Sequence, residues 1–251
     1  MADVGIVGSR GLLGSYILYN LLDMHDIKHV TCMGHDRPCI EHEKLKVWTN
    51  PCLMRDYPAY IRKHKPAPDI LFSAVSISSK EVGGRENQRL IELEGVVRIA
   101  KAAREAGTKV FVLASISHFP LGRDPKFLKM KKDLEKAVES IGFEHVVIVR
   151  TPIVFGAPDE GSTSSGRFLH ALGNVQGIFS RPSMQSAWQR RAKQVARASI
   201  NAGLDALTVP NAPPISVLHS HDMPKVARRR SQGSLRVVPD PPVSRKQSLS
   251  L

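Results

Sequence analysis

The stretch Val4-Gly-Ile-Val7-Gly8-Ser-Arg-Gly11-Leu-Leu-Gly14 limits the possible folds of this chain more than any other part of it. A short apolar run, which reads as a strand, leads directly into three glycines with two residues between each. An apolar run from Leu12 to Leu22 follows and reads as a helix. Glycines placed between a strand and a helix allow a tight turn, close approach of a ligand to the backbone, and close packing of the helix on the strand. The helix N-terminus behind them presents unpaired amides and a partial positive charge, which suits a pyrophosphate. The pattern therefore reads as a dinucleotide-binding turn, with Gly8, Ser9, Arg10, Gly11, Leu12 and Gly14 around the phosphates. A purely structural glycine turn is the alternative.

The following residues repeat this alternation. Strand-like runs occur at Val4–Val7, His29–Met33, Leu45–Trp48, Asp69–Ser73, Lys109–Leu113 and His145–Val149. Several are continuously apolar, as parallel strands covered on both faces must be. Helical periodicity occupies Leu12–Leu22, Arg85–Ala106 (apolar at Leu90, Leu93, Val97 and Ala100) and Lys126–Ile141; the latter two end at Gly107 and Gly142, as C-capped helices do. Strands alternating with helices imply βαβ units, so the expected fold class is α/β: a doubly wound parallel sheet of the Rossmann type, with a basic, partly helical C-terminal extension. The expected organisation is a dinucleotide-binding domain over 1–156, a helical and loop part over 157–227 packing on it, and a Pro/Ser-rich basic tail over 228–251. A helix is expected over Ser186–Gly203, with Trp188, Ala192, Val195 and Ser199 on one face.

Charge divides the chain in the same place. Residues 162–251 hold 13 Lys and Arg against three Asp, so +10 of the net +13 lies there, and the first 161 residues are nearly neutral. Such asymmetry points to an acidic or phosphate-rich partner, either a large protein assembly or a ribonucleoprotein, met through residues 186–251; a solvated basic tail is the alternative. The three cysteines (Cys32, Cys39, Cys52) form no even set and no C-x-x-C pair, so reduced thiols and no metal site are expected. No apolar run approaches the ~18 residues of a helical membrane span. The first strand begins next to Met1, so no cleavable targeting peptide is visible. The expected location is intracellular, mitochondrial or cytoplasmic.

The residue closing the second strand bears on the choice of cofactor, because an acid there would bind a ribose 2′-hydroxyl. That position is Gly34, followed by His35, Asp36 and Arg37. With His35, Arg37 and Arg10 nearby, a 2′-phosphate is the better guest, so NADP is expected ahead of NAD. A strand running on to Asp36 would reverse the preference.

These motifs together resemble the atypical or extended short-chain dehydrogenase/reductases, nearest to the Tat-interacting oxidoreductase-like proteins and their fungal mitochondrial relatives. The glycine spacing matches theirs. Asp69-Ile-Leu-Phe-Ser-Ala-Val-Ser76 resembles their fourth strand and its ribose-contacting end, Val96–Gly107 resembles the helix leading into Val110–Ser115, and Arg150-Thr-Pro152 resembles the Arg-Pro element beside the nicotinamide. The likeness covers about residues 3–156. It implies that Ala74, Val75, Ser76, Lys131, Pro152 and Ile153 join the cofactor contacts.

Members of this family that reduce carbonyls use a serine that orients substrate, a tyrosine that donates the proton, and a lysine four residues later that binds ribose and lowers the tyrosine pKa. The resemblance puts the serine at Ser115 and the lysine at Lys131, and the tyrosine position is then Phe127. A phenyl ring has no proton to give. A register using Lys132 would put Leu128 there instead. Tyr16, Tyr19, Tyr57 and Tyr60 all lie outside the segment. Ser117, His118 or a water is the remaining proton source. Two functions are therefore expected to compete. One is a cofactor-binding protein with a degraded catalytic centre, serving as a structural or redox-sensing subunit of a larger assembly. The other is an NADPH-dependent reductase of a small carbonyl with an unconventional proton donor. Direct nucleic-acid recognition by the basic helix ranks behind both, because aromatic platforms are scarce there.

Overall fold

A computed structural model describes residues 1–35, 37–38, 40–50, 53–63, 66–117, 124–151 and 182–229. Among them, seven strands form one sheet in the order β3-β2-β1-β4-β5-β6-β7: β1 Ala2–Val7, β2 Ile27–Gly34, β3 Leu45–Thr49, β4 Ile70–Ser73, β5 Val110–Ile116, β6 His145–Thr151 and β7 Ile215–Leu218. Every pairing is parallel. This is the doubly wound order, and the winding reverses between β1 and β4.

Side chains alternate across the sheet and feed two cores. Val4, Ile6, Val30, Cys32, Ile70, Phe72, Val110, Val112, Val147 and Val149 face α1 (Leu12–Asp23) and α6 (Pro182–Thr208). Val7, Met33, Leu71, Phe111, Leu113, Val146 and Ile148 face α2 (Leu53–Lys63), α4 (Val96–Ala106) and α5 (Pro125–Glu139). The continuous apolar runs arise because both faces are buried. At Gly203, α6 passes so close to the sheet that an added Cβ would lie 2.9 Å from Val112 and 3.2 Å from Phe72.

The expected strands and helices are all present, with ends shifted by a few residues. Three elements were not anticipated: α2, which carries Pro58 within it, the short strand β7, and α7 (Met223–Arg228). β7 pairs with β6 and α7 packs into the α1/α6 core through Met223 and Val226, so residues 182–229 share the sheet and core of the N-terminal part. The Arg85–Ala106 helix is also not uniform. It runs as α3 (Arg85–Arg89), a π-helical segment Leu90–Gly95, and α4. Leu90 is 40% exposed, and the buried stripe runs through Leu93, Val96, Ile99, Ala100 and Ala103. No helix of the described residues is long and apolar enough to cross a membrane.

Candidate functional site

The glycine turn lies at the reversal point of the sheet. Gly8 has φ +82°, and a Cβ on it would sit 2.6 Å from the Ala74 carbonyl carbon, so backbone packs on backbone where β1 and β4 end. A Cβ at Gly14 would collide with the Gly8 carbonyl. Gly11 caps α1, and no side chain bonds to the helix N-terminus or places an acid in its first turn. This leaves an electropositive backbone surface without a side-chain cap, which fits a dinucleotide pyrophosphate.

Ser9 is turned inward and 2% exposed; the Cys32 thiol donates to its hydroxyl at 2.7 Å. Burial pushes the Cys32 thiol up to about 11. Ser9 thus braces the turn through its side chain. β2 closes on Gly34, with His35, Arg37 and Arg10 exposed near that edge. Asp36, His118, Pro152 and Ile153 lie outside the described residues.

Beside the turn, a solvent-open cleft is lined by Leu13, Ala74, Val75, Ser76, Ser115 and Lys131, together with Ala114, Ile116 and Thr151. The structure therefore brings the end of β4, the expected serine and the expected lysine into one wall. The two-residue period of β5 and β6 explains how. Phe111, Leu113 and Ser115 alternate onto the α5 face, as do Val146, Ile148 and Arg150, and Ser115 and Arg150 are register partners. On α5, Phe127, Lys131 and Glu135 recur every fourth residue beside the apolar row Met130, Leu134 and Val138. Asp124 caps that helix, accepting from the Lys126 amide at 3.0 Å, with Pro125 in the first turn.

Four charged groups at this wall carry the electrostatics, and two of them, Glu92 and Glu135, were not anticipated from sequence. Lys131 is 2% exposed and forms an ion pair with Glu92, itself fully buried on the π-helical segment. The other Glu92 oxygen accepts from the Ile77 amide at 2.8 Å and from Gln88 Nε2 at 3.3 Å, and Gln88 Nε2 also donates to the Ile77 carbonyl at 2.7 Å. Glu92 thus fastens the loop after Ser76 and the ammonium of Lys131 together. Glu135, 3% exposed, accepts from Ser115 Oγ at 2.5 Å and from Arg150 Nη2 at 2.7 Å. Phe127 is half-buried, with its ring centroid 5.7 Å from Lys131 Nζ.

Glu135 could have been found from its spacing, one helical turn beyond Lys131 on the same face. Glu92 carries a weaker signal: a carboxylate directly beside the apolar stripe of its helix, with its lysine partner 39 residues away. Arg150 is visible in the sequence as part of the Arg-Thr-Pro element.

Comparison with known proteins gives the family and the fold. Residues 4–135 match the model of the NAD dependent epimerase/dehydratase family. "Protein FMP52, mitochondrial" of Coccidioides immitis is 33% identical over 220 residues, covering 82% of this chain and 87% of that protein. "Protein fmp52, mitochondrial" of Aspergillus fumigatus is 32% identical over 211 residues, covering 82% and 89%. Among solved structures, the UDP-Glc/GlcNAc 4-epimerase of Campylobacter jejuni superposes with a TM-score of 0.59 at 11% identity, covering 86% of this chain and 77% of that one. MoeE5 in complex with UDP-glucose and NAD gives 0.57 at 15% identity, covering 86% and 75%. At those identities the structures establish the shared fold alone. With the family model and the fungal relatives, they make this chain a member of the NAD dependent epimerase/dehydratase family, in the short-chain dehydrogenase-like Rossmann group that includes the fungal FMP52 proteins.

Proposed function

We propose that this protein binds NADP(H) in the Gly8–Gly14 turn and the adjoining cleft without sustained turnover. It would serve as a structural or redox-sensing subunit that docks on a larger assembly through its basic C-terminal part. The observation that carries this reading is Phe127 beside Lys131. The site keeps the serine and the lysine of a carbonyl reductase, but a phenyl ring stands where the proton donor belongs, and the lysine ammonium is paired with buried Glu92. Gly8, Ser9, Arg10, Gly11, Leu12 and Gly14 would hold the pyrophosphate, and Ala74, Val75, Ser76, Lys131, Pro152 and Ile153 the ribose and nicotinamide. Bound there, the nicotinamide would supply hydride to a ligand in the cleft; the protein's own groups would orient that ligand and keep water from it. His35 and Arg37, with Arg10, favour a 2′-phosphate over a bare hydroxyl, which supports NADP over NAD.

Exposed Arg190 and Arg191 on α6, with Lys225, Arg228 and Arg229 at α7, support docking on an acidic or phosphate-rich partner. The mitochondrial names of the fungal relatives support a mitochondrial site of action.

The test pairs calorimetric titration of NADP and NAD with an assay of NADPH oxidation on a carbonyl panel, for the unmodified protein and for Phe127→Tyr. Tight NADP binding with turnover gained only in the tyrosine variant is the expected outcome. Robust turnover by the unmodified protein would replace this reading with an active reductase. If the docking partner is RNA, association must weaken steeply with salt as phosphate counterions are released.

A further inference from the structure

Ser115 lines the cleft, yet its hydroxyl proton is directed away from it. Ser115 Oγ lies 2.5 Å from Glu135 Oε1. Arg150 holds the same carboxylate from its other side, with Nη2 2.7 Å from Oε2 and Nε 3.2 and 3.3 Å from the two oxygens. A carboxylate gripped by a guanidinium has only lone pairs to offer, so the serine must be the donor in this bond. The arrangement is stiff. Glu135 is 3% exposed, Ser115 4%, and Ser115 and Arg150 are paired across adjacent strands.

With its proton spent on Glu135, Ser115 Oγ presents lone pairs to the cleft. A carbonyl oxygen placed against it would set acceptor against acceptor. A hydroxyl placed there would complete a chain in which ligand O–H donates to Ser115 and Ser115 donates to Glu135, each bond strengthening the next. Phe127 has no donor to offer a carbonyl, and the Lys131 ammonium in the cleft wall is already paired with Glu92.

We propose that Glu135, fixed by Arg150, makes Ser115 a hydrogen-bond acceptor and thereby selects an alcohol over the matching carbonyl compound as the small-molecule ligand of this cleft. Glu135 is a positioning residue, acting through the serine. The inference rests on the proposed reading of the cleft as a nicotinamide-dinucleotide site and deepens it: the second occupant is on the alcohol side of the redox couple, which is the side that does not require the missing proton donor for recognition.

The experiment begins with calorimetric titration of NADP into the full-length protein. Cyclohexanol and cyclohexanone, closely similar in shape, are then compared by chemical-shift titration of the NADP-saturated protein. The alcohol is expected to bind about tenfold more tightly, since a buried acceptor facing an acceptor forfeits a hydrogen bond. The ratio should fall to near one in Ser115→Ala. It should invert in Glu135→Gln, whose amide donates to Ser115 Oγ and turns the serine proton toward the cleft. Ser115→Ala retains the Glu135–Arg150 pair, so the test survives even if Glu135→Gln folds poorly. A general loss of stability would weaken both ligands together and leave the ratio unmoved. Equal or tighter ketone binding by the unmodified protein overturns the proposal, as does the lack of saturable binding of the alcohol. Failure of the first titration would instead count against the dinucleotide reading; the alcohol–ketone comparison is then made on the cofactor-free protein and judged by the same ratio.

Discussion

At the glycine turn the cleft is made of backbone. Its amides lie at a helix end without a side-chain cap, and close packing of Gly8 on Ala74 and of Gly14 on Gly8 holds the shape. At the β5–β6 end the cleft is made of charged side chains, and these are already engaged with one another: Lys131 with Glu92, and Arg150 with Glu135 and through it Ser115. The first region leaves its polarity for a ligand. The second spends its polarity within the protein. The proposed reading, a cofactor held without sustained turnover, draws on this contrast.

The largest effect is expected where the second region is broken. Glu92→Ala strips a buried ammonium of its partner and releases the Ile77 amide, and should cost about 3–5 kcal/mol in denaturant unfolding. The double variant Glu92→Ala/Lys131→Met should recover a substantial part of that loss. Simple additivity of the single variants would show that the pair is not coupled. Breaking the first region should cost somewhat less stability but more binding. Gly14→Ala drives a Cβ into the Gly8 carbonyl, for about 3 kcal/mol of stability and roughly a hundredfold in NADP affinity. Unchanged calorimetric affinity would remove the turn from the binding site.

The brace beneath the turn makes a smaller, pH-dependent contribution. The Cys32 thiol is raised from 9.0 to about 11 by burial, with the bond to Ser9 opposing the shift. Above pH 9 the unfolded chain releases this proton and the folded chain keeps it. Stability should therefore fall between pH 9 and 11, by no more than about 3 kcal/mol. Urea unfolding across that range should show a shallower decline in Cys32→Ala, and parallel curves would dismiss the brace as the cause. Phe127→Tyr should have the smallest effect on stability, within about 1 kcal/mol, because the ring is only half-buried and the phenol adds one polar atom. Its thermal midpoint, read beside the NADPH assay, separates a change in chemistry from a change in folding.

Much of this site was legible before any coordinates. Strand, glycine spacing and helix are local features, and together they placed Gly8, Gly11 and Gly14. The four-residue interval from Phe127 to Lys131 put both on one face of α5. Glu135 was readable in principle, since it continues that interval, but an acid on a helix ordinarily reads as a solvated face. Glu92 and Gln88 were harder. Their partners, Lys131 and Ile77, are distant in sequence, and the π-helical segment that carries Glu92 departs from the 3.6-residue period by which a buried face is recognised. Leu90 was misjudged for the same reason: it belongs to the expected stripe by count, yet lies 40% exposed. α2 and β7 escaped notice because one contains Pro58 and the other is only four residues long.

The sequence by itself determined the fold class, the glycine turn and the phenyl ring one helical turn before Lys131. Each depends on residue types at short, fixed separations, where backbone sterics and helical or strand periodicity leave little choice. The tertiary structure decided how the charges are spent. Which way Ser115 directs its proton depends on the register of β5 against β6 and on the docking of α5 across both strands. Whether Lys131 faces a ligand alone or with a counter-ion depends on how the helix carrying Glu92 packs beside α5. Those are agreements between residues far apart in the chain, and only burial against a common sheet brings them within hydrogen-bonding distance.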